Sequence, residues 1–392
     1  MWFKRIGVMV FSMGIVLSPA SQLRIPGTSI GLGEMCALLS VFIGLLFFAL
    51  NPVVVVNKLS IFQRNYITFW LLSLVIFCLG SFYAKIINVL DEGSTVHNFS
   101  AYLLIFLMIS LFLLFYIPSF PDLGERVLWN ILFFSGLLNL FYTFLWATSV
   151  VSFLQYELFY GIRFTGFGLN PNQLALSCLP VPFLALHSFR SKTNSKFKRF
   201  YSLLSLLVTC FVGVVTLSDA LIFAWLLGFL VYYYNINLRG LFNKPFEQII
   251  NKLAFTFLLI LIGLLFIHQI NDYIKDTYGD GVSNNQGSDR ILYWSNALHA
   301  FIHSPLFGLG PGSYSGGTPF GQEEAHNTFL DWLVSTGLIG VSMFIFLMFQ
   351  KWRKLWRNSP KEYISIFVAL IAFSMFHLIL RHFIFWILII FI

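Results

Sequence analysis

Long apolar runs alternate with short polar breaks along this chain, and most of the runs approach the about 20 residues a helix needs to cross an apolar layer about 30 Å thick. They occupy residues 5–20, 29–50, 66–86, 99–118, 127–147 and 172–189, then 202–218, 219–235, 253–270, 328–350, 364–380 and 382–392. The pattern predicts an all-α polytopic membrane protein of about twelve transmembrane helices. Only Ser218-Asp219 divides the seventh run from the eighth and the last run is short, so eleven is the other count the pattern allows. One polar stretch, residues 271–327, is far longer than the rest, and loops of that length in compact proteins commonly carry function. Within it, SDRILYWSNALHAFIHSP sets Ile291, Leu292, Trp294, Leu298, Phe301 and Ile302 at helical spacing behind Asp289, an N-cap candidate. That spacing predicts an amphipathic helix lying on the membrane interface. Glycines and prolines between Pro305 and Gly321 then break regular structure. No internal repeat is evident, so the inverted repeats of many transporters are not indicated. The expected organisation is one integral membrane domain over 1–392, with 271–327 as a large loop carrying part of any active site.

Composition sharpens the class. The 392 residues are 58% hydrophobic and 10% charged, with a mean hydropathy of +0.81; a soluble domain has about 25% charged residues. The start, MWFKRIGVMVFSMGIVLSPASQ, has the basic and apolar features of a signal peptide, but further runs follow it and it reads as a first, uncleaved span. Cys36, Cys78, Cys178 and Cys210 stand singly in apolar runs without metal-ligand spacing and read as small hydrophobes.

Charge then orients the spans. Even-numbered connections and both termini hold 18 of the 24 Lys and Arg but only 4 of the 16 acids, and loops retained in the cytoplasm concentrate Lys and Arg. Both termini are therefore expected in the cytoplasm and 271–327 outside. The net charge of +8 becomes a topology signal, and no nucleic-acid partner is expected.

Four groups share the outer side: Arg163, Arg290, His326 and Arg381. Each guanidinium fork can give two parallel hydrogen bonds to phosphate oxygens, so a cluster of them suits a diphosphate. An interfacial arginine can also simply reach for lipid headgroups. His326 can exchange a proton near neutral pH, and Glu323 or Glu324 before it can orient it or raise its pKa. His299 and His303 lie four apart on the loop helix, but without a third ligand nearby no metal is expected. Gly337 and Gly340, one turn apart in the tenth run, would let another helix approach the one that carries His326. Ionisable residues are nearly absent from the middle of the runs, with Glu34, Asp219 and Asp331 near outer ends, which disfavours a transporter or flippase.

These residues resemble the bacterial O-antigen ligase and O-antigen polymerase superfamily. His326-Asn327, nine residues, Gly337, two residues and Gly340 is similar to its HN-x9-GxxG signature. Arg290-x3-Trp294 followed by SPLFGLGPGSY resembles its R-x3-W and glycine-rich run, and RFTGFGLNPNQLA at 163–175 resembles its RxxGxxxNPNxLA segment. The resemblance implies a GT-C-like glycosyltransferase of the bacterial inner membrane, independent of metal and cofactor, which uses undecaprenyl-diphosphate-linked glycan on the periplasmic face; a single displacement of the diphosphate would invert the anomeric centre. It implies Arg290 and His326 as catalytic residues and matches Arg163 to the arginine of the NPN segment, with Asn327, Trp294, Gly337 and Gly340 in its motifs; the charge reading adds Arg163, Arg290 and Arg381 as diphosphate ligands and Glu323 and Glu324 as support for His326. Membrane lipid surrounds such an enzyme, and a chain-length-regulating protein is a partner the resemblance allows. One departure stands out: where many members, ligases especially, have a Ser-Arg pair after the seventh span, this chain has Ser218-Asp219. A polymerase that joins lipid-linked repeat units is therefore expected ahead of a ligase that transfers finished glycan to lipid A-core.

Overall fold

The computed structural model describes residues 2–25, 28, 30–50, 59–234, 286–316 and 320–392. The first five helices are α1 (Trp2–Leu17), α2 (Leu32–Leu50), α3 (Ile61–Ile86), α4 (Glu92–Tyr116) and α5 (Leu123–Ala147). Two small hairpins follow, β1 (Ser152–Phe153) with β2 (Tyr156–Glu157) and β3 (Phe159–Tyr160) with β4 (Arg163–Phe164). Then come α6 (Pro171–Cys178), α7 (Val181–Arg190), α8 (Lys196–Val215), α9 (Asp219–Tyr234), α10 (Gln286–His303), α11 (Thr328–Asn358), α12 (Lys361–Ser374) and α13 (Phe383–Phe391). Local chemistry sets the starts. Ser60 and Gln63 form a reciprocal capping box on α3, Asp91 caps α4, Asn170 caps α6 with Pro171 at the first helical position, and Ser195 caps α8.

Among the described residues six helices, α2, α3, α4, α5, α8 and α11, are long and apolar enough to cross a membrane, and α9 is a shorter apolar helix. They expose apolar side chains on one side: Met35, Leu39, Phe42 and Leu46 on α2, and Leu71, Val75, Leu79 and Phe82 on α3. An apolar surface of that extent suits lipid rather than water. The all-α polytopic expectation is met. The run expected at 253–270 lies outside the described residues. The run at 172–189 is two helices, broken at Leu179-Pro180, because a proline there lacks the amide to continue the ladder.

The last two runs also differ from full spans. α12 has 14 residues and α13 only 9, about 13 Å at the helical rise. Every residue from Phe383 to Ile390 is buried, so α13 is a core helix, apolar all round because protein covers all of it. Lys351 of α11 is buried too and donates to the carbonyl of Ile392 at 2.6 Å at the end of α13. An aromatic core surrounds α13, with Trp70 and Trp386 at 5.2 Å between ring centres and Trp332 edge-on to Phe77 at 5.4 Å.

The bundle has two polar ends. At one, Lys4 donates to Ser119, Asn65 to Gln350, and Arg190 pairs with Glu362 at 3.5 Å. At the other, Gln22 donates to the carbonyls of Glu157 and Gly168, Ser94 meets Ser313, and Thr328 donates to the carbonyl of His377. The first group joins segments that the charge count assigns to the cytoplasm, and the second joins segments that it assigns outside.

Candidate functional site

Arg163 is held by a hairpin. Gly161 turns it with φ 58, and strand alternation sends Phe164 into the core against Tyr142, which leaves Arg163 on the opposite face. Its Nε donates to the carbonyl of Thr216 at 3.1 Å and an Nη to Asn172 Oδ1 at 3.2 Å. The same Asn172 oxygen accepts from Ser218 at 2.8 Å. Burial lowers the Arg163 pKa from its ordinary value; nearby Asp219 opposes this and Arg290 adds to it. Ser218-Asp219 thus supports Arg163 through Asn172 and through charge, although it lacks the arginine of the superfamily pattern.

Arg290 sits near the start of α10. Among the described residues the helix runs from Gln286, so the Asp289 backbone lies within it. Three residues on one face fix the helix: Trp294 donates its indole N–H to the Ala325 carbonyl at 3.0 Å, and Ala297 and Ala300 are fully buried. Asn296 also donates to the carbonyl of Gly316 at 2.7 Å. The indole bond ties the helix of Arg290 to the residue preceding His326. The opposite stripe, Ile291, Leu298 and Ile302, is exposed, as an interfacial amphipathic helix requires.

His326 has a left-handed backbone, φ 51, which is unusual for a residue with a side chain and needs support. Asp331, one turn into α11, supplies it by accepting the amides on both sides of the histidine, Ala325 N–H at 2.8 Å and Asn327 N–H at 3.3 Å. Asn327 is the N-cap of α11 and accepts from the amides of Phe329 and Leu330. The capping role therefore falls to Asn327 and leaves the imidazole free to face outward, where its ring lies 6.2 Å from that of Tyr293.

Gly337 and Gly340 act differently from the sequence expectation. Gly337 has φ 63 and ψ −166 and interrupts α11. A loop, not a helix, enters the break: Leu309 and Gly310 donate to the carbonyls of Val334 and Ser335, and Leu338 and Ile339 donate to Pro305 and Leu306. A methyl group on Gly337 would lie 2.3 Å from the backbone of Leu306. Gly340 has its carbonyl bound by the buried indole of Trp332. The glycine-rich segment is thus clamped to the helix whose first turn carries the His326 support.

These elements enclose a cavity of about 450 Å³. Arg163, Asn172, Arg290, Tyr293, His326 and His377 line it, with Tyr160 and Leu169. Among the described residues no carboxylate forms an ion pair with Arg163 or Arg290. The site therefore offers two guanidiniums and two imidazoles to an incoming anion.

Arg381 is not part of this group. It donates to Asn98 and pairs with Glu324, and it lines a second, smaller cavity of about 100 Å³ with Arg24, Glu34, His97 and His382. Glu324 is thereby committed to Arg381 rather than to orienting His326, and Glu323 is exposed beside Gly316. Sequence reasoning missed four residues: Asn172, Tyr293, His377 and the supporting Asp331. Asn172 stood within the quoted NPN segment and Tyr293 is three residues beyond Arg290, one helical turn away. Nothing in the sequence joins His377 to them.

Residues 203–345 match the family model described as O-antigen ligase. The match supports the O-antigen ligase and polymerase superfamily. It covers Arg290, His326, Gly337 and Gly340, while Arg163, His377 and Arg381 lie outside it. No curated protein matches the chain. Together with the membrane-spanning helices, the match supports a membrane glycan-processing enzyme of O-antigen ligase or polymerase type in the bacterial inner membrane, with lipid-linked glycan as substrate.

Proposed function

We propose that this protein is a surface-polysaccharide polymerase, a GT-C-like inverting glycosyltransferase of about twelve spans that joins undecaprenyl-diphosphate-linked oligosaccharides at the periplasmic face without a metal. One observation carries the reading: two arginines without an acidic ion-pair partner among the described residues share a cavity with two histidines at the polar end that the charge pattern assigns outside. The donor's bond between anomeric carbon and diphosphate oxygen breaks, and the electron pair leaves on that oxygen. Arg163 and Arg290 then stabilise charge that grows toward the transition state, which is where binding accelerates a reaction. The acceptor hydroxyl forms the new bond from the opposite face and loses its proton to an imidazole of the cavity. The half-buried position suits a substrate with a lipid at one end and a sugar at the other.

The description of the matched family favours a second reading, a ligase whose acceptor is lipid A-core. Asp219 in place of an arginine supports the polymerase. A deletion strain separates the two by its surface glycan. A single repeat unit on the core is the expected result, whereas long polymer held on the lipid carrier would assign the ligase.

A further inference from the structure

Asn172 is the second residue of α6, and one of its polar groups is left over. Its backbone amide donates to Oδ1 of the capping Asn170 at 2.8 Å. Its side-chain Oδ1 accepts twice, from an Nη of Arg163 at 3.2 Å and from the hydroxyl of the buried Ser218 at 2.8 Å. A guanidinium can only donate, so the carboxamide atom that faces Arg163 is the oxygen, and two donors fill its two lone pairs. The turn between α8 and α9 sets this geometry. Thr216 offers its carbonyl to Arg163 Nε, Ser218 offers its hydroxyl to Asn172, and Leu217 between them has a left-handed backbone, φ 49, which residues with a side chain adopt rarely. The carboxamide is thus held with its oxygen turned to Arg163 and Ser218, which leaves the two N–H groups of Nδ2. They have no partner among the described residues, and Nδ2 is open rather than buried. The residue itself is half-buried in the lining of the main cavity. Arg163 also keeps N–H groups beyond the two it donates to Thr216 and Asn172.

We infer that Asn172 touches the substrate: its Nδ2 donates to an oxygen of the donor diphosphate beside Arg163, and Ser218 is the positioning residue that keeps the amide turned that way. This rests on the diphosphate reading above and adds a neutral donor to its two arginines. The neutrality matters, because Arg163 and Arg290 are near enough to repel each other's charge. An amide gives the anion one more hydrogen bond without adding to that repulsion.

The experiment measures binding of polyprenyl diphosphate to the full-length purified enzyme in detergent. Asn172→Ala should bind about tenfold more weakly than wild type, the effect of one hydrogen bond to a charged group. The same change made in an Arg163→Ala enzyme should weaken binding by about fivefold more, allowing for coupling between neighbours. A residue that only held Arg163 would have nothing left to hold there, so no further loss in that background overturns the assignment. Asn172→Asp keeps an oxygen for Arg163 and Ser218 and nearly the same shape, so it carries the test if the alanine variant folds poorly. It replaces the N–H pair by a carboxylate oxygen and should lose at least about tenfold in affinity at a wild-type Tm; wild-type affinity in this variant also overturns the assignment. Ser218→Ala should lose about threefold when Asn172 is present and nothing further in Asn172→Ala. Equal loss in both would remove Ser218 from the assignment. If wild type binds no polyprenyl diphosphate, the proposed function falls and this inference falls with it; binding by wild type and equally by Asn172→Asp removes only the inference.

Discussion

The two cavities hold similar residues and differ in how their charges are arranged. In the smaller one, Arg381 is bonded to Glu324 and Asn98, while the carboxylate of Glu34 accepts the Gly31 amide and Arg24 forms no ion pair among the described residues. In the larger one, Arg163 donates to neutral oxygens of Thr216 and Asn172, with Asp219 acting on it through charge but in no ion pair, and Arg290 has no ion pair among the described residues. Cations matched by carboxylates hold segments together. Cations supported by neutral groups retain their field for a ligand. Arginines at the same end of one bundle can therefore have opposite duties, and a count of outward charges does not separate them.

The sharpest way to break this comparison is to change one arginine in each cavity while keeping the charge. Arg290→Lys loses the planar fork and should lower turnover by about a hundredfold, the usual effect of removing one donor from a developing oxyanion, with normal membrane expression. Arg381→Lys should keep turnover within about threefold, measured in the same polymer assay. Equal loss in both would erase the distinction between the cavities.

Asp331 tests whether the His326 backbone needs its support. Asp331→Asn keeps one acceptor and loses the other, together with the negative charge. A charged hydrogen bond contributes about 1.5–3 kcal/mol, so turnover should fall about tenfold, with the loss appearing in donor affinity if His326 holds the diphosphate. Unchanged affinity would show that the loop keeps its shape without the carboxylate.

The smallest effect on activity belongs to Glu324→Gln. Removing the acid partner of Arg381 should destabilise the fold by about 2 kcal/mol, read as a lower Tm in detergent, while glycan transfer per folded molecule changes little. A large activity loss at unchanged Tm would move Glu324 from support into the site.

Much of this molecule was legible in its pattern of residues. Apolar runs place the long helices because length and hydropathy act locally, and α10 follows from the spacing of Trp294, Leu298 and Phe301. The grouping of Arg163, Arg290 and His326 also follows, since their segments lie on one side of the charge pattern. The last run was visibly short, but the burial of α13 on all sides was not legible, because a core helix and a membrane helix are equally apolar and only the covering protein distinguishes them. His377 stayed hidden for a related reason: its neighbours come from the hairpin, α10 and the loop before α11, distant in sequence. Gly337 announced a close approach, but the φ of 63 that admits a loop rather than a helix is a tertiary outcome. The separation of Arg381 depends on Asn98 and Glu324, each from a different segment.

The central claim is that Arg163 and Arg290 hold a departing lipid diphosphate while glycan is transferred. Its most direct measurement follows purified protein in lipid vesicles supplied with polyprenyl-diphosphate-linked oligosaccharide, counting new glycosidic bonds and released polyprenyl diphosphate together. Wild type should produce the two in equal amounts, and the double variant Arg163→Ala, Arg290→Ala should produce neither although it remains inserted and folded. Equal turnover by the double variant, or glycan joined without release of the diphosphate, would contradict the account.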